Sequence, residues 1–270
     1  MTPSPGVLLR RGFLALIALF LAAPLIVVIS VSFNATRRMS FPPTEFSLRW
    51  YRAFFSDYGW MASLERSLTI AGLAALVSVA VALPITYALW RYQAKAAAVL
   101  AGVGGALFLI PGVVAALMLS AFWGVTGHVG RLENVVLSHA IVLLGIPLSL
   151  LMVGFRTIDQ AQVEAAYTMG ARDSDAFRMV VRPAMTPYIL CAFVFVFVLS
   201  INEYLIAYMV AGFTVQTLPI RIFANMRQGY EPTMCVAAVI FMVMGFSAFA
   251  LMSKVADLPR LMGRARPLED

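Results

Sequence analysis

Glu203 is the only acidic residue inside the six long apolar stretches of this 270-residue chain. It stands in the run Asn202-Glu203-Tyr204, with Tyr208 one helical turn beyond Tyr204. A carboxylate at bilayer depth is costly and usually faces the bundle interior or a water-filled path. There it would attract a cationic solute, and the tyrosine faces would add cation–π contact. Alternatively it is a structural group bonded to a neighbouring helix or subunit, and the sequence leaves both roles open. Other candidate chemistry is thin. His128 and His139 lie 11 positions apart without a cluster of Cys, Asp or Glu. Cys191 and Cys235 both sit in apolar runs and read as small core residues, so no metal site is expected. Gly102-Val103-Gly104-Gly105 lacks the Lys-Ser/Thr that a phosphate loop requires. There is no Ser/His/Asp nucleophile arrangement, and His139 with Glu203 is too slight a basis for an intramembrane enzyme. The chain is expected not to be an enzyme.

The elements that position these residues are apolar helices. Hydrophobic residues make up 61% of the chain and charged residues only 12%. Several runs exceed the roughly 18 apolar residues that mark a bilayer span. The expected fold is an all-α membrane protein, a six-transmembrane-helix bundle forming a single domain over 1–270. A barrel would need segments of about 10 residues alternating apolar and polar, and none appears. The spans are drawn at 13–33, 68–90, 97–123, 134–155, 188–211 and 234–255. The first is too long for a signal-peptide core and lacks a clear cleavage site. Gly102, Gly104, Gly105, Pro111 and Gly112 in the third allow close helix packing or a local break.

Between the first two spans, residues 34–66 form the longest polar connection. Ser47 is placed to cap an amphipathic helix over 48–57. Trp50, Tyr51, Phe54, Phe55, Tyr58 and Trp60 give it the composition of a membrane–water interface, or of a docking surface for a soluble partner outside. Residues 212–233 read as a loop containing Thr217-Leu218-Pro219. The net charge of +7 fits basic residues flanking spans next to anionic lipid and does not call for nucleic acid. Six spans put both termini on one side. With the termini inside, twelve Lys and Arg lie inside and eight outside, which favours cytoplasmic termini.

On that topology a polar segment, 156–187, faces the cytoplasm between the fourth and fifth spans. Asp159, with Gln162 three residues on, caps a helix over 160–169. Gly170 suits a left-handed C-terminal cap. A second short helix starts at Asp173 or Ser174 and runs to Val181, and Pro183 and Pro187 are expected to break the chain before the fifth span. A helical elbow of this kind can transmit force from a soluble engine to the bundle.

Glu164-Ala165-Ala166, then Gly170, then Pro183 resemble the EAA loop of the membrane permease subunits of bacterial type I ABC importers. Phe46-Ser47-Leu48-Arg49-Trp50-Tyr51, Ser67-Leu68-Thr69-Ile70-Ala71, Asn202-Glu203-Tyr204 and Thr217-Leu218-Pro219 are similar to the spermidine/putrescine branch of that family. Arg182 stands where the family usually has Leu before the closing Pro. The resemblance implies that Glu164, Ala165, Ala166, Tyr167, Gly170, Ala171 and Pro183 belong to the segment that couples to a cytoplasmic ATPase. It also implies a translocation path shared with a second, related permease subunit, two ATPase copies binding ATP and Mg, and a periplasmic solute-binding protein. The bilayer is the remaining partner, and the location is the bacterial inner membrane. A polyamine is the expected solute, with an aminophosphonate, an opine or an amino-acid derivative as alternatives. The rival reading is an ion-coupled secondary transporter, which predicts inverted internal repeats; none is visible.

Overall fold

The computed structural model describes residues 5–255, all of whose regular elements are helical. The basic tail at Arg260, Arg264 and Arg266 lies outside the described residues. Four stretches are each long and apolar enough to cross a bilayer: Leu9–Ser32, Tyr58–Tyr92, Asp173–Ile201 and Thr233–Ser253. Two bent helix pairs bring the number to six if each pair is one span. The described residues divide into two compact units, one of residues 5–62 with 221–243 and the other of 63–220 with 244–255.

The first unit begins with α1 (Pro5–Ser32), which stays helical through Pro24. Most of its side chains from Phe13 to Leu25 are exposed. A helix apolar all round needs lipid or other apolar surface about it. The connection that follows is organised by Asn34, which is fully buried. Its side-chain amide donates to the Arg38 and Ser40 carbonyls, and its own carbonyl accepts the Trp50 indole N–H at 2.8 Å. This locks α2 (Arg49–Ser56) in place by Trp50 and Phe54, its buried residues. Ser47 Oγ accepts the Arg49 N–H at 3.2 Å. The region expected to be a loop at 212–233 instead contains a helix, α12 (Leu218–Gln228). Pro219 there is an early-turn proline, where a missing N–H has no helical partner to lose. Arg221 of α12 pairs with Asp57 at 3.0 Å and lies over the Trp60 ring.

The second unit carries the core. α3 (Tyr58–Tyr92) presents Ala71, Ala74, Ala75, Ser78 and Ala82 on one face, all essentially inaccessible. Small residues at helical spacing let neighbouring backbones approach closely. Two apolar clusters grow along this face. One gathers Ile70 and Ala74 with α5 (Gly112–Val125), α6 (Leu132–Val142) and α11 (Leu205–Ala211). The other gathers Val79 and Ala82 with α7 (Gly145–Arg156) and α10 (Arg182–Ile201).

Three of the expected spans are broken, the third at the Pro111-Gly112 step where a local break was one expectation. The third is α4 (Lys95–Phe108) followed by α5 at 112°, because Pro111 cannot donate to the ladder and stands extended as the N-cap of α5. The fourth bends by 47° between α6 and α7. The fifth divides at Asn202–Tyr204 into α10 and α11. Irregular backbone at membrane depth survives only where protein or a polar cavity satisfies it, so these breaks need polar partners.

Close packing makes a glycine test possible. A Cβ at Gly154 of α7 would lie 2.6 Å from Tyr188 Cγ on α10, whereas one at Gly102 meets nothing within 4 Å. Gly154→Ala is therefore expected to lower the thermal midpoint of the purified protein, at an overpacking cost of about 1–3 kcal/mol. Gly102→Ala should leave it unchanged or raise it, since glycine inside a helix costs roughly 0.5–1 kcal/mol relative to alanine.

Candidate functional site

The elbow forms from local rules. Asp159 Oδ1 accepts the Ala161 N–H at 2.9 Å and starts α8 (Gln160–Thr168). Gly170 has φ +85°, which side chains rarely adopt. There the Gly170 N–H donates to the Tyr167 carbonyl and the Ala171 N–H to the Ala166 carbonyl. That pair of bonds is a Schellman stop, which consumes the last free carbonyls and turns the chain. The Arg172 N–H donates to Asp175 Oδ2 at 3.2 Å and opens α9 (Asp173–Ala176).

Beyond α9 the sequence expectation fails. Pro183 and Pro187 do not break the chain; helix continues through a π turn at Phe177–Val181 into α10. Pro183 occupies the first turn of α10, where a missing N–H is tolerated. The π turn absorbs the change of register, as such single turns do inside longer helices. The elbow is thus continuous with the fifth span and can pass rigid-body motion to it.

The faces of α8 divide cleanly. Val163 and Ala166 are buried, Val163 within the second unit's core. Glu164, Ala165 and Thr168 point outward, and Met169 is 81% exposed. Of the motif residues, Ala166 therefore packs inward at 7% exposure rather than lying on the outward face. Tyr167 ties the elbow to α3: its hydroxyl donates to Asp173 Oδ1 at 2.7 Å and accepts from Arg91 Nη2 at 3.2 Å. Arg91 also lies 3.6 Å from Asp173. The hydrogen bond to Asp173 holds the Tyr167 hydroxyl above the ordinary tyrosine range. A cavity of about 460 Å³ lies beside this cluster, walled by Leu83, Pro84 and Tyr87 of α3 and by Asp173, Ser174, Phe177 and Arg178.

The second group of candidates lies at the α10–α11 break. Glu203 caps α11, its carboxylate accepting the Leu205, Ile206 and Ala207 N–H groups at 2.9–3.1 Å. Its side chain is 21% exposed. His139 of α6 is 1% exposed; its Nδ1 lies 2.8 Å from Ser200 Oγ and its Nε2 3.2 Å from Glu203 Oε2. The Nε2 approach is an ion-pair distance but not an aligned hydrogen bond. The order Ser-His-Glu has the composition of a hydrolytic triad, yet Ser200 is buried at 3% exposure. The Asn202 side chain donates back to the Val198 carbonyl. Tyr204 and Tyr208 stack with ring centres 5.4 Å apart, and Tyr208 continues to Phe213 at 6.4 Å.

Sequence reasoning singled out Glu203 and the tyrosines but passed over the part His139 and Ser200 play. The available signal was a histidine inside one apolar run and a Ser-x-x-Glu at the expected depth of another. Asp173 likewise reads in the sequence only as a helix start.

The geometry defines a membrane-embedded helical protein with an exposed elbow between two spans. A family model described as binding-protein-dependent transport system inner membrane component matches residues 3–257. The chain belongs to this family, and it is a permease of the type I ABC importers. The spermidine/putrescine transport system permease protein PotC of Haemophilus influenzae is 25% identical over 243 residues, 90% of this chain and 94% of that one. The putrescine transport system permease protein PotI of Escherichia coli K12 is 26% identical, covering 87% of each chain. Among solved structures, a bacterial ABC transporter involved in import of the acidic polysaccharide alginate aligns with a TM-score of 0.65, at 15% identity, over 92% of this chain and 95% of that one. An amino acid ABC transporter aligns with a TM-score of 0.57, at 22% identity, over 76% and 94%. These two likenesses bear on the fold alone.

Proposed function

We propose that this permease carries a polyamine across the bacterial inner membrane. The solute is delivered by a periplasmic binding protein and driven by two copies of a separate ATPase that bind ATP and Mg. A second, related permease completes the path. Both termini and the elbow face the cytoplasm, where Glu164, Ala165, Thr168 and Met169 form the face offered to the ATPase. The elbow carries the reading: a polar helix, ended by a built stop at Gly170, is held outward while its rear face is anchored in the core. ATP binding closes the ATPases, the elbow follows, and α10 moves with it because helix runs on from Asp173 to Ile201. The polyamine reading draws on the named solutes of PotC and PotI. It is supported by the break, where Glu203 places negative charge beside the Tyr204–Tyr208 stack. Asn202 adds an exposed amide there. Stacked tyrosine faces suit an elongated organic cation.

The test is uptake of labelled spermidine into vesicles holding the assembled importer, with its binding protein outside and ATP at the ATPase face. Accumulation should require hydrolysable ATP and both soluble partners. Uptake by this chain alone, driven by an ion gradient and indifferent to nucleotide, overturns the reading.

A further inference from the structure

We propose that His139 is a positioning residue for transport: its single imidazole bridges the α10–α11 break and fixes where Glu203 sits. The two ring nitrogens are used in opposite directions. Nδ1 meets Ser200 in the last turn of α10, and Nε2 meets Glu203, which caps α11. One side chain from α6 therefore spans the discontinuity of a membrane-spanning segment. The Glu203 N–H finds the Ser200 carbonyl at 3.2 Å, but α11 begins anew, and its first N–H groups depend on the Glu203 carboxylate. At this depth backbone groups at a break must be satisfied by protein or by a polar cavity.

The ring roles follow from the partners. Glu203 offers only acceptor oxygens to Nε2, so Nε2 carries a proton. Nδ1 then accepts the Ser200 O–H in the neutral ring, or donates to Ser200 Oγ in the charged one. In both states Ser200 fixes the ring plane and thereby keeps Nε2 within ion-pair distance of the carboxylate, as an outer partner orients a histidine in other sites. The ring is buried, and Val135, Val136 and Ala140 of α6 share one buried cluster with Ile206 and Ala207 of α11. His139 acts through Glu203 and not on the solute. A change there should slow the cycle, not weaken solute capture.

Two isosteric substitutions separate this role from simple filling of space. His139→Gln keeps an N–H donor at the Nε2 position and loses the Ser200 contact. His139→Asn keeps a polar group at the Nδ1 position and loses the reach to Glu203. In the assembled importer, amide hydrogen exchange at Leu205, Ile206 and Ala207 should accelerate at least tenfold in His139→Asn and stay near wild type in His139→Gln. With spermidine as the probe, the maximal uptake rate should fall about tenfold in His139→Asn at unchanged half-saturating concentration, and His139→Gln should recover most of it. Equal exchange and equal transport in the two variants overturn the proposal. So does a His139→Leu importer that cycles at the wild-type rate. The transport arm rests on the polyamine reading and the exchange arm does not. If wild-type vesicles fail to accumulate spermidine, that reading falls, and the exchange data still decide the role of His139.

Discussion

Gly170→Pro and Glu164→Lys are each expected to strip the ATPase from the purified permease, by different routes. Gly170 has φ +85° and donates its N–H to the Tyr167 carbonyl. Proline fixes φ near −65° and has no N–H, so it loses both features of the stop. The turn must refold, and Ala171 can no longer reach back to Ala166. The elbow then leaves α8 at a new angle, and its outward face no longer matches the partner surface. Glu164→Lys leaves the fold alone: the side chain is exposed on α8, beside a helix stop that it does not touch. It reverses charge in the middle of the offered face, where like charges across an interface cost several kcal/mol. Each tenfold loss of affinity corresponds to about 1.4 kcal/mol, so a drop of at least tenfold in captured ATPase is expected for both variants. Glu133→Lys provides the control, since Glu133 is exposed in the first turn of α6, away from the elbow. Full ATPase capture by both elbow variants would remove the elbow from the interface.

How much of this was readable in the sequence depended on the range of the interaction that decides each element. α8 was legible to within a residue because its start and stop are local: Asp159 reaches two residues ahead, and Gly170 and Ala171 reach back three and five. α12 was not legible. Thr217-Leu218-Pro219 has the composition of a loop, and the bond that fixes the helix start is the Leu218 N–H donated to Ser67 Oγ, 151 residues away. Pro183 and Pro187 have the sequence signature of breakers because the rule for proline concerns a helix interior. The π turn that moves Pro183 into a helix start is not encoded by any single residue type. The broken fifth span followed the same logic. Leu205-Ile206-Ala207 reads as continuous helix after Ile201, and only a carboxylate capping three N–H groups, steadied by a histidine from another helix, shows that the ladder restarts there. Within the elbow, which faces of α8 look inward was open too. Ala165 and Ala166 are identical in sequence, and only the core beneath distinguishes them.

Glu203→Gln is the variant expected to affect transport most. The wild-type carboxylate accepts the Leu205 and Ile206 N–H groups on Oε1 and the Ile206 and Ala207 N–H groups on Oε2, with His139 alongside. An amide has one oxygen. Whichever way it turns, its NH₂ faces donors that held a carboxylate oxygen, so the cap and the charge fail together. Hydrogen bonds to a charged group contribute about 1.5–3 kcal/mol each, and losing one such bond predicts a 10- to 100-fold fall in spermidine uptake. The partial exposure of the Glu203 side chain makes a second signature measurable. If the charge attracts the solute, raising salt should weaken wild-type uptake at sub-saturating spermidine and leave the residual uptake of Glu203→Gln nearly unaffected. Tyr208→Leu, which removes one face of the ring stack and keeps the cap, should raise the half-saturating concentration while sparing the maximal rate. A cap-only role gives a different pattern: Glu203→Gln slows the cycle at all concentrations, salt acts equally on both proteins, and Tyr208→Leu is neutral. Uptake by Glu203→Gln at the wild-type rate would exclude the carboxylate from the path and from the control of the break alike.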